Sequence, residues 1–479
     1  MSNLAPKLLI GGEFRPATAL PPLSVCNPCT EELLWTAPRA GAAEVEEALH
    51  HARAALKTWS KVHGWERAKV LRGIARAMEA RKGALASALS HEIGRPIAQS
   101  EGEVLIAIEQ FDWFAGEAER LFGETIPSRQ GGRLATALEP VGIVAAFTAW
   151  NFPINLLARK IAPALAAGCP IICRPSEQTP LTSTLIAEAC AAGGAPPGTV
   201  QMLFGPAETI TPLLMAAEEV RKISLTGSTR VGQMLLAEAA KTVKRCSMEL
   251  GGHAPVVICE DADVDNAATL CALFKFRNAG QVCIAPNRFY VHESLAERFA
   301  SGMVKAAEAL VLGDSQDRAS SMGPLTLASQ RDRVEALSVE TEASGARRLT
   351  GGRRPAGRNK GFFFEPTVFA DVPDEARIMR DEPFGPLAPI ATFRDFDDAI
   401  TRANSTPYGL AAYGFTGGQR YAEALSAGLS AGMVGVNTFM IAHAEAPFGG
   451  INHSGMGREG GRHAIHDYLN VKLTHFMPT

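Results

Sequence analysis

Residues 276–283 read Phe-Arg-Asn-Ala-Gly-Gln-Val-Cys, and residues 248–255 read Met-Glu-Leu-Gly-Gly-His-Ala-Pro. Cys283 ends a polar segment that contains a glycine, and Glu249 stands between two apolar residues 34 positions earlier. A thiol and a remote carboxylate can serve as nucleophile and base. Their spacing alone is weak evidence, because the chain has nine cysteines and 50 acidic residues. The residues around the pair are what make the two segments specific.

These two segments resemble the active-site signatures of the aldehyde dehydrogenase superfamily, and the resemblance covers nearly the whole chain. Five further motifs occur in the order that this family has: Trp-Asn-Phe-Pro at 150–153, Arg-Pro-Ser-Glu at 174–177, Thr-Gly-Ser-Thr at 226–229, Glu-Pro-Phe-Gly-Pro at 382–386 and Pro-Phe-Gly-Gly at 447–450. The resemblance implies an α/β fold with a Rossmann-like cofactor domain, an α/β catalytic domain and a small β oligomerisation element.

The pattern of residues from about 141 to 260 independently favours alternating strands and helices. Short apolar runs predict strands, and longer periodic segments predict helices. The predicted strands are 141–147, 170–173, 200–204 and 222–225, and the predicted helices are 155–167, 180–192, 209–217 and 228–241. This alternation indicates right-handed βαβ units and a parallel sheet.

The family resemblance also divides the chain into domains. It assigns 1–117 and 141–251 to an NAD(P)-binding domain, 252–440 to a catalytic domain, and 118–140 with 467–479 to the oligomerisation element. Helices are expected at 263–275, 295–310 and 395–404. Strands of the oligomerisation element would extend the sheet of a neighbouring subunit, so we expect a homodimer or homotetramer.

Composition excludes several classes of protein. A chain of 479 residues exceeds one ordinary core, so two or three domains are expected. A net charge of −3 gives no case for binding nucleic acid or an anionic membrane. The sequence has neither an 18-residue apolar run nor a secretory signal, which predicts a cytoplasmic protein. An odd number of cysteines suits reduced thiols, and we predict no metal site.

Residues 455–460, Gly-Met-Gly-Arg-Glu-Gly, match the dinucleotide fingerprint of a Rossmann fold. That fingerprint has meaning only between a strand and a helix. The residues before it, 451–454, do not have the pattern of a strand. We therefore expect these glycines to shape a C-terminal loop instead.

Three residues match the catalytic residues of the family. Cys283 corresponds to the nucleophile, which forms a thiohemiacetal and then a thioester with an aldehyde. Asn151 corresponds to the side-chain donor that stabilises the tetrahedral oxyanion. Glu249 corresponds to the base that activates water for thioester hydrolysis, and its presence argues against transfer of the acyl group to coenzyme A.

The cofactor residues also follow from the resemblance. Arg174, Ser176 and Glu177 match the adenosine ribose site, where Arg174 replaces the usual lysine. Because Glu177 would repel a 2′-phosphate, we expect NAD to be preferred, with NADP as the alternative. The other matching positions are Trp150, Gly227, Ser228, Leu250, Gly251, Glu382 and Phe384.

Two arginines indicate the substrate. Arg159 and Arg277 align with carboxylate-binding arginines of succinate semialdehyde dehydrogenases. The residues around Cys283 also resemble those of α-ketoglutaric semialdehyde dehydrogenases. His443 stands near a position where some relatives have a hydroxyl residue. The resemblance therefore implies a small anionic aldehyde as the substrate.

Three other interpretations remain at this point. The enzyme could oxidise uncharged aldehydes, which a substrate panel would distinguish. A non-catalytic protein on the same fold should have lost Cys283, Glu249 or Asn151, yet all three are present. A cysteine peptidase would need a histidine beside Cys283, and the signature contains none.

Overall fold

A computed structural model describes residues 4–16 and 20–477 of the chain. The strands in these ranges are β1 Leu8–Ile10, β2 Glu13–Arg15, β3 Leu23–Cys26, β4 Leu33–Ala37, β5 Thr125–Pro127, β6 Arg133–Pro140, β7 Ile143–Phe147, β8 Ile171–Arg174, β9 Val200–Met202, β10 Val220–Thr226, β11 Arg245–Glu249, β12 Pro255–Ile258, β13 Arg288–His292, β14 Arg347–Thr350, β15 Thr367–Ala370, β16 Leu387–Phe393, β17 Ala411–Phe415, β18 Met433–Val436, β19 Gly455–Met456 and β20 Leu469–Phe476.

The α-helices are α1 Ala42–Trp59, α2 Gly64–Glu79, α3 Lys82–Ile93, α4 Ile97–Ala118, α5 Pro153–Ala167, α6 Pro180–Ala192, α7 Ala207–Ala216, α8 Thr229–Ala240, α9 Val264–Phe276, α10 Ala296–Glu308, α11 Ala328–Ala343, α12 Phe396–Ala403, α13 Gln419–Gly428 and α14 Gly461–His466. Among the described residues, no helix is long and apolar enough to cross a bilayer.

The first sheet has the strand order β19-β11-β10-β7-β8-β9-β1-β2. Its five central strands, β11 to β9 in that order, are parallel, and the outer strands join antiparallel. Chain order runs outward from β7 on one side and starts again at β10 on the other. The loops after β7 and β10 therefore diverge, which is the topological switch point where α/β sheets bind ligands.

The second sheet has the order β14-β15-β16-β13-β12-β17-β18 and is parallel except for β14. Each of the two large sheets has its own buried hydrophobic cluster. Strands of the first sheet come from 8–249 and 455–456, and strands of the second come from 255–436. The division into domains at the predicted limits stays a prediction.

A third sheet is formed by β20, β6 and β5, which pair antiparallel. Its strands lie in the two segments assigned to the oligomerisation element, except that residues 478–479 lie outside the described range. Val471 is 69% exposed and Leu473 is 61% exposed on β20. The predicted role of this sheet in subunit assembly rests on the resemblance.

Local sequence signals account for several element boundaries. α5 ends at Gly168, whose φ of 93° is the left-handed conformation of a glycine C-cap. Asp263 and Asp395 accept a backbone N–H at the start of α9 and α12. β10 begins two residues before the predicted strand 222–225, because the charged Arg221 separates Val220 from it in the sequence, and it ends one residue later than predicted. Lys222 is nevertheless buried, and its Nζ donates to Ser247 Oγ at 2.5 Å.

The glycine-rich segment at 455–460 does not form a dinucleotide fingerprint. A 3₁₀ turn, Asn452–Ser454, precedes it, and Gly455–Met456 itself forms the edge strand β19. The expected loop character is therefore replaced in part by a short strand, because Met456 and Gly455 pair with Met248 and Glu249 of β11.

Candidate functional site

The parallel register brings the predicted motifs to one edge of the first sheet. Phe147 of β7 lies opposite Arg174 of β8 and Leu225 of β10, and Thr226 lies opposite Glu249. The segments that follow these four strands, 149–152, 175–177, 227–228 and 250–251, therefore leave the sheet at the same carboxyl edge. This is the reason that four motifs far apart in sequence form one site.

A cavity of about 560 Å³ opens at this edge, between the first and second sheets. Its wall contains eleven of the predicted site residues: Trp150, Asn151, Arg159, Gly227, Ser228, Leu250, Gly251, Arg277, Cys283, Glu382 and Phe384. Aromatic side chains line another part of the wall, among them Phe152, Phe274, Phe439 and Phe448. We call the part lined by Gly227, Ser228, Glu382 and Phe384 the cofactor end and the part lined by Arg159 and Arg277 the substrate end, after the roles predicted for these residues.

Cys283 is presented by an unusual turn at the end of α9. Asn278, Ala279 and Gly280 have φ values of 50°, 51° and 74°, so three consecutive residues are left-handed. A Cβ at Gly280 would lie 2.1 Å from the carbonyl oxygen of Gly385, so only glycine fits there. Burial, together with the nearby carboxylates of Glu382 and Glu249, raises the pKa of Cys283 to about 12. A thiol with this pKa is neutral near pH 7.

Asn151 is held against the segment that carries Cys283. Its Nδ2 donates to the carbonyl of Gln281 at 3.1 Å. In return, Asn278 Nδ2 donates to the carbonyl of Asn151 at 3.3 Å. An amide NH₂ has two donors, so Asn151 keeps one N–H for a second acceptor. The two loops fix the amide beside the thiol before any ligand binds.

Glu249 lies beside the cavity and does not contribute to its lining. Its carboxylate is buried, both oxygens have no hydrogen-bond partner among the described residues, and Oε1 abuts Gly449. Burial raises the pKa of Glu249 well above its ordinary value, and the nearby Glu459 raises it further.

Lys160 and Glu459 form a buried ion pair next to Glu249. Lys160 Nζ also donates to Thr226 Oγ1 at 2.8 Å. Neither residue was predicted from the sequence, since Glu459 lies in the glycine-rich segment for which a loop was expected. A carboxylate between glycines near the C-terminus was the one signal available.

The cofactor end fits a dinucleotide. Gly227 and Ser228 open α8, whose first N–H groups suit a phosphate. Glu382 Oε1 is buried without a partner among the described residues, and burial raises the pKa of Glu382 to about 8. A Cβ at Gly251 would lie 2.9 Å from Glu382 Oε2, so the backbone there is open only because the residue is glycine. The rings of Phe384 and Trp150 pack edge-on, with their centroids 5.7 Å apart.

Arg174, Ser176 and Glu177 lie outside the wall of this cavity, at the end of β8. Arg174 donates to the carbonyl of Gly205 at 2.8 Å and to Glu177 at 3.5 Å. Arg39 donates to the other oxygen of Glu177 at 3.2 Å. The Glu177 carboxylate therefore lies between two arginines. Nothing in the sequence around Arg39 pointed to this role.

Arg159 and Arg277 both reach the substrate end of the cavity. Arg159 is fully buried, both its terminal nitrogens have no partner among the described residues, and its guanidinium lies 4.5 Å from the ring centroid of Phe448. Arg277 stacks over Phe152 at 5.4 Å, and its Nε has no partner in the described part of the chain. Gly460 abuts Arg159, since a Cβ there would lie 2.9 Å from Nη1.

The structure does not bring His443 to the cavity. Its ring is exposed and bonds the carbonyl of Met440 at 3.0 Å. Ile441 and Ala442 form the wall at this point. The loop turns His443 outward one position later, so the structure does not support the predicted substrate contact.

Arg95 and Glu103 form a second buried ion pair that the sequence did not reveal. Glu103 Oε1 accepts the backbone N–H groups of Ile154 and Asn155 at 2.8 and 3.0 Å, and so caps α5. Arg95 lies over the ring of Phe152 at 4.6 Å. The pair anchors the loop that carries Asn151, and its charges satisfy each other.

The sequence profile of the aldehyde dehydrogenase family matches residues 14–474. The chain belongs to the aldehyde dehydrogenase family. It is 39% identical to succinate-semialdehyde dehydrogenase [NADP(+)] GabD of Escherichia coli, over 97% of this chain and 96% of that protein. It is 41% identical to 3-sulfolactaldehyde dehydrogenase of Pseudomonas putida, over 98% and 97%.

A crystal structure of an NADP-dependent enzyme of E. coli superimposes with a TM-score of 0.97 at 38% identity, covering 100% of this chain and 99% of that one. The predicted family and fold class are thereby confirmed. As a member of this family the protein is an NAD(P)-dependent oxidoreductase of aldehydes. The roles of the individual site residues stay predictions.

Proposed function

We propose that the protein oxidises a small aldehyde carrying an anionic group to the corresponding acid, with Cys283 as nucleophile and water as acyl acceptor. The observation that supports this is the pair of guanidinium groups, Arg159 and Arg277, with unpartnered N–H groups at one end of the cavity that holds Cys283. Buried cations are normally paired, so an anionic substrate group is the partner they suit. The names of the two relatives denote aldehydes with a carboxylate and a sulfonate.

In the acylation step the Cys283 sulfur adds to the carbonyl carbon and the thiol proton passes to water. The free N–H of Asn151 and the backbone N–H of Cys283 stabilise the resulting oxyanion. NAD(P), which Glu382 and Phe384 would hold, would supply the hydride acceptor. Departure of the hydride from carbon leaves a thioester on Cys283.

Deacylation returns the enzyme to its starting state. Glu249 takes a proton from water while the oxygen attacks the acyl carbon. The carbon–sulfur bond breaks, the Cys283 sulfur regains a proton from Glu249, and the carboxylic acid leaves. A raised pKa suits this role, because a base is most effective when its pKa lies near the working pH.

Initial rates on a matched set of aldehydes test the substrate class. Succinate semialdehyde, glutarate semialdehyde, 3-sulfolactaldehyde and butanal would each be supplied with NAD and with NADP, and the reduced cofactor followed by absorbance. We expect at least one anionic aldehyde to have a kcat/KM about 100-fold above that of butanal, since removing one partner of a buried charge pair costs roughly 2–5 kcal/mol. Equal values for butanal would favour an enzyme of uncharged aldehydes.

NAD is proposed as the preferred cofactor. Glu177 can accept hydrogen bonds from ribose hydroxyls, and its negative charge would oppose a 2′-phosphate. Arg39 and Arg174 both point their donors at Glu177, so their charges are already engaged. A higher kcat/KM with NADP in the same set of rates would show that the two arginines outweigh Glu177.

A reduced cytoplasmic enzyme that assembles from identical subunits is also proposed. All nine cysteines are unpaired, which suits a reducing compartment. The exposed apolar side chains along β20, Val471 and Leu473, offer a surface for a second copy. Sedimentation of the full chain would distinguish a monomer from the expected dimer or tetramer.

A further inference from the structure

We propose that Asn155 selects substrates that carry an additional oxygen, a hydroxyl or keto group, on the carbon chain between the aldehyde and the anionic group. This inference rests on the proposed function and narrows its substrate class. It starts from the distribution of hydrogen-bond partners among the polar residues at the substrate end of the cavity.

The substrate end has four polar residues besides Asn151, and only one of them is satisfied. Glu103 accepts two backbone N–H groups and pairs with Arg95. Its charge is therefore neutralised within the protein. The residues with unpartnered atoms, within the described part of the chain, are Arg159, Arg277 and Asn155. Two cations call for an anion, whereas a neutral amide calls for a neutral hydrogen-bonding group.

The side chain of Asn155 contributes to the cavity wall. Its Oδ1 is buried without a partner among the described residues, although its backbone N–H is bound to Glu103. The side chain is half-buried, so the Nδ2 end is the part of the amide that can face the cavity. A buried amide oxygen without a partner is unfavourable, so the side chain costs stability unless it serves a ligand.

The position of Asn155 sets where the ligand oxygen must lie. α5 begins at Pro153, and Asn155 and Arg159 are one turn apart on the same face of this helix. Four residues of helix rise about 6 Å. Asn151 precedes the helix by two residues and lies beside Cys283. The amide of Asn155 therefore comes between the residue that binds the aldehyde oxygen and an arginine that suits the anionic group.

The test compares substrates that differ by one oxygen. Glutarate semialdehyde and α-ketoglutaric semialdehyde form one pair, and succinate semialdehyde and its 3-hydroxy derivative form the other. In wild-type enzyme with NAD, we expect kcat/KM for the oxygenated member of at least one pair to exceed that of its partner about tenfold. In Asn155→Leu, which keeps the volume and removes the amide, this ratio should fall below about threefold.

A thermal melt of the ligand-free protein separates a ligand-binding amide from a structural one. If Asn155 serves only a ligand, Asn155→Leu removes an unsatisfied polar group, and the Tm should be unchanged or higher. A clear fall in Tm together with an unchanged substrate ratio would overturn the proposal in favour of a structural role.

The outcomes also separate this inference from the proposed function. If wild-type enzyme prefers anionic aldehydes over butanal but does not distinguish the members of either pair, only the role of Asn155 is wrong. If butanal is oxidised as fast as all four anionic aldehydes, the proposed substrate class itself fails, and the inference fails with it.

Discussion

The arginines beside Glu177, which lies outside the cavity wall, differ from those at the substrate end of the cavity in how their N–H groups are used. Beside Glu177, Arg174 donates to Gly205 and to the Glu177 carboxylate, and Arg39 donates to the same carboxylate. At the substrate end, Arg159 has two buried nitrogens without a partner in the described part of the chain. The N–H groups that point at Glu177 are satisfied within the protein, whereas Arg159 can still donate to a ligand. This contrast indicates which arginines recognise a charged ligand.

Replacing Cys283, the proposed nucleophile, should have the largest effect on activity. Cys283→Ser is expected to lower aldehyde oxidation by about 1,000-fold or more, because a hydroxyl is far less ionised and less nucleophilic than a thiol. The variant should still bind NAD and the semialdehyde, as measured by calorimetry with each in turn. Retention of more than a few per cent of the wild-type rate would remove Cys283 from the role of nucleophile.

The variant Glu249→Gln tests whether Arg159 binds the substrate or only holds the neighbouring carboxylate of Glu249. The two side chains are close enough for Arg159 to lower the pKa of Glu249. If Glu249 is the deacylation base, the variant should show a burst of reduced cofactor followed by turnover about 100-fold slower than that of wild type. Loss of the burst in proportion to turnover would mean that Glu249 acts earlier or holds Arg159 in place.

The two substrate-end arginines should be the next most sensitive positions. Arg159→Leu and Arg277→Leu are each expected to lower kcat/KM for the anionic aldehyde by at least about tenfold, because each removes a charge-assisted contact worth roughly 2 kcal/mol or more. The value for butanal should change much less. Equal losses on both substrates would show that these side chains only support the wall.

The sequence allowed the reacting centre to be predicted better than its surroundings, and the reason is physical. Motifs such as 149–152 and 250–251 sit directly after parallel strands, so local sequence also determines their place in space. Glu103, Arg95 and Arg39 act through contacts with segments 51 to 138 positions away, and no local pattern marks them. His443 was misplaced because loop direction cannot be derived from spacing. Asn155 has a role only in relation to the cavity, which is a product of the fold.

The variant Glu177→Gln tests whether Arg39 and Arg174 can be freed to bind a charged ligand. Removing the charge of Glu177 would release Arg39 and Arg174 for a 2′-phosphate, since both donate to its carboxylate. We expect the ratio of kcat/KM for NADP to that for NAD to rise about tenfold, because each charge-assisted contact contributes roughly 1.5–3 kcal/mol. An unchanged ratio would mean that the cofactor does not approach this carboxylate.

Arg39→Leu should have the smallest effect and serves as the control for that variant. Arg39 is 26% exposed in its pair with Glu177, and such partly exposed ion pairs contribute about 0.2–1 kcal/mol. Because Arg174 still holds Glu177, kcat/KM with NAD should fall by less than about fivefold. The double variant with Glu177→Gln should gain less NADP activity than Glu177→Gln alone, since one cation is missing. A loss of more than tenfold with NAD in Arg39→Leu would show that Arg39 itself binds the cofactor, so that an arginine bonded to Glu177 also recognises a charged ligand.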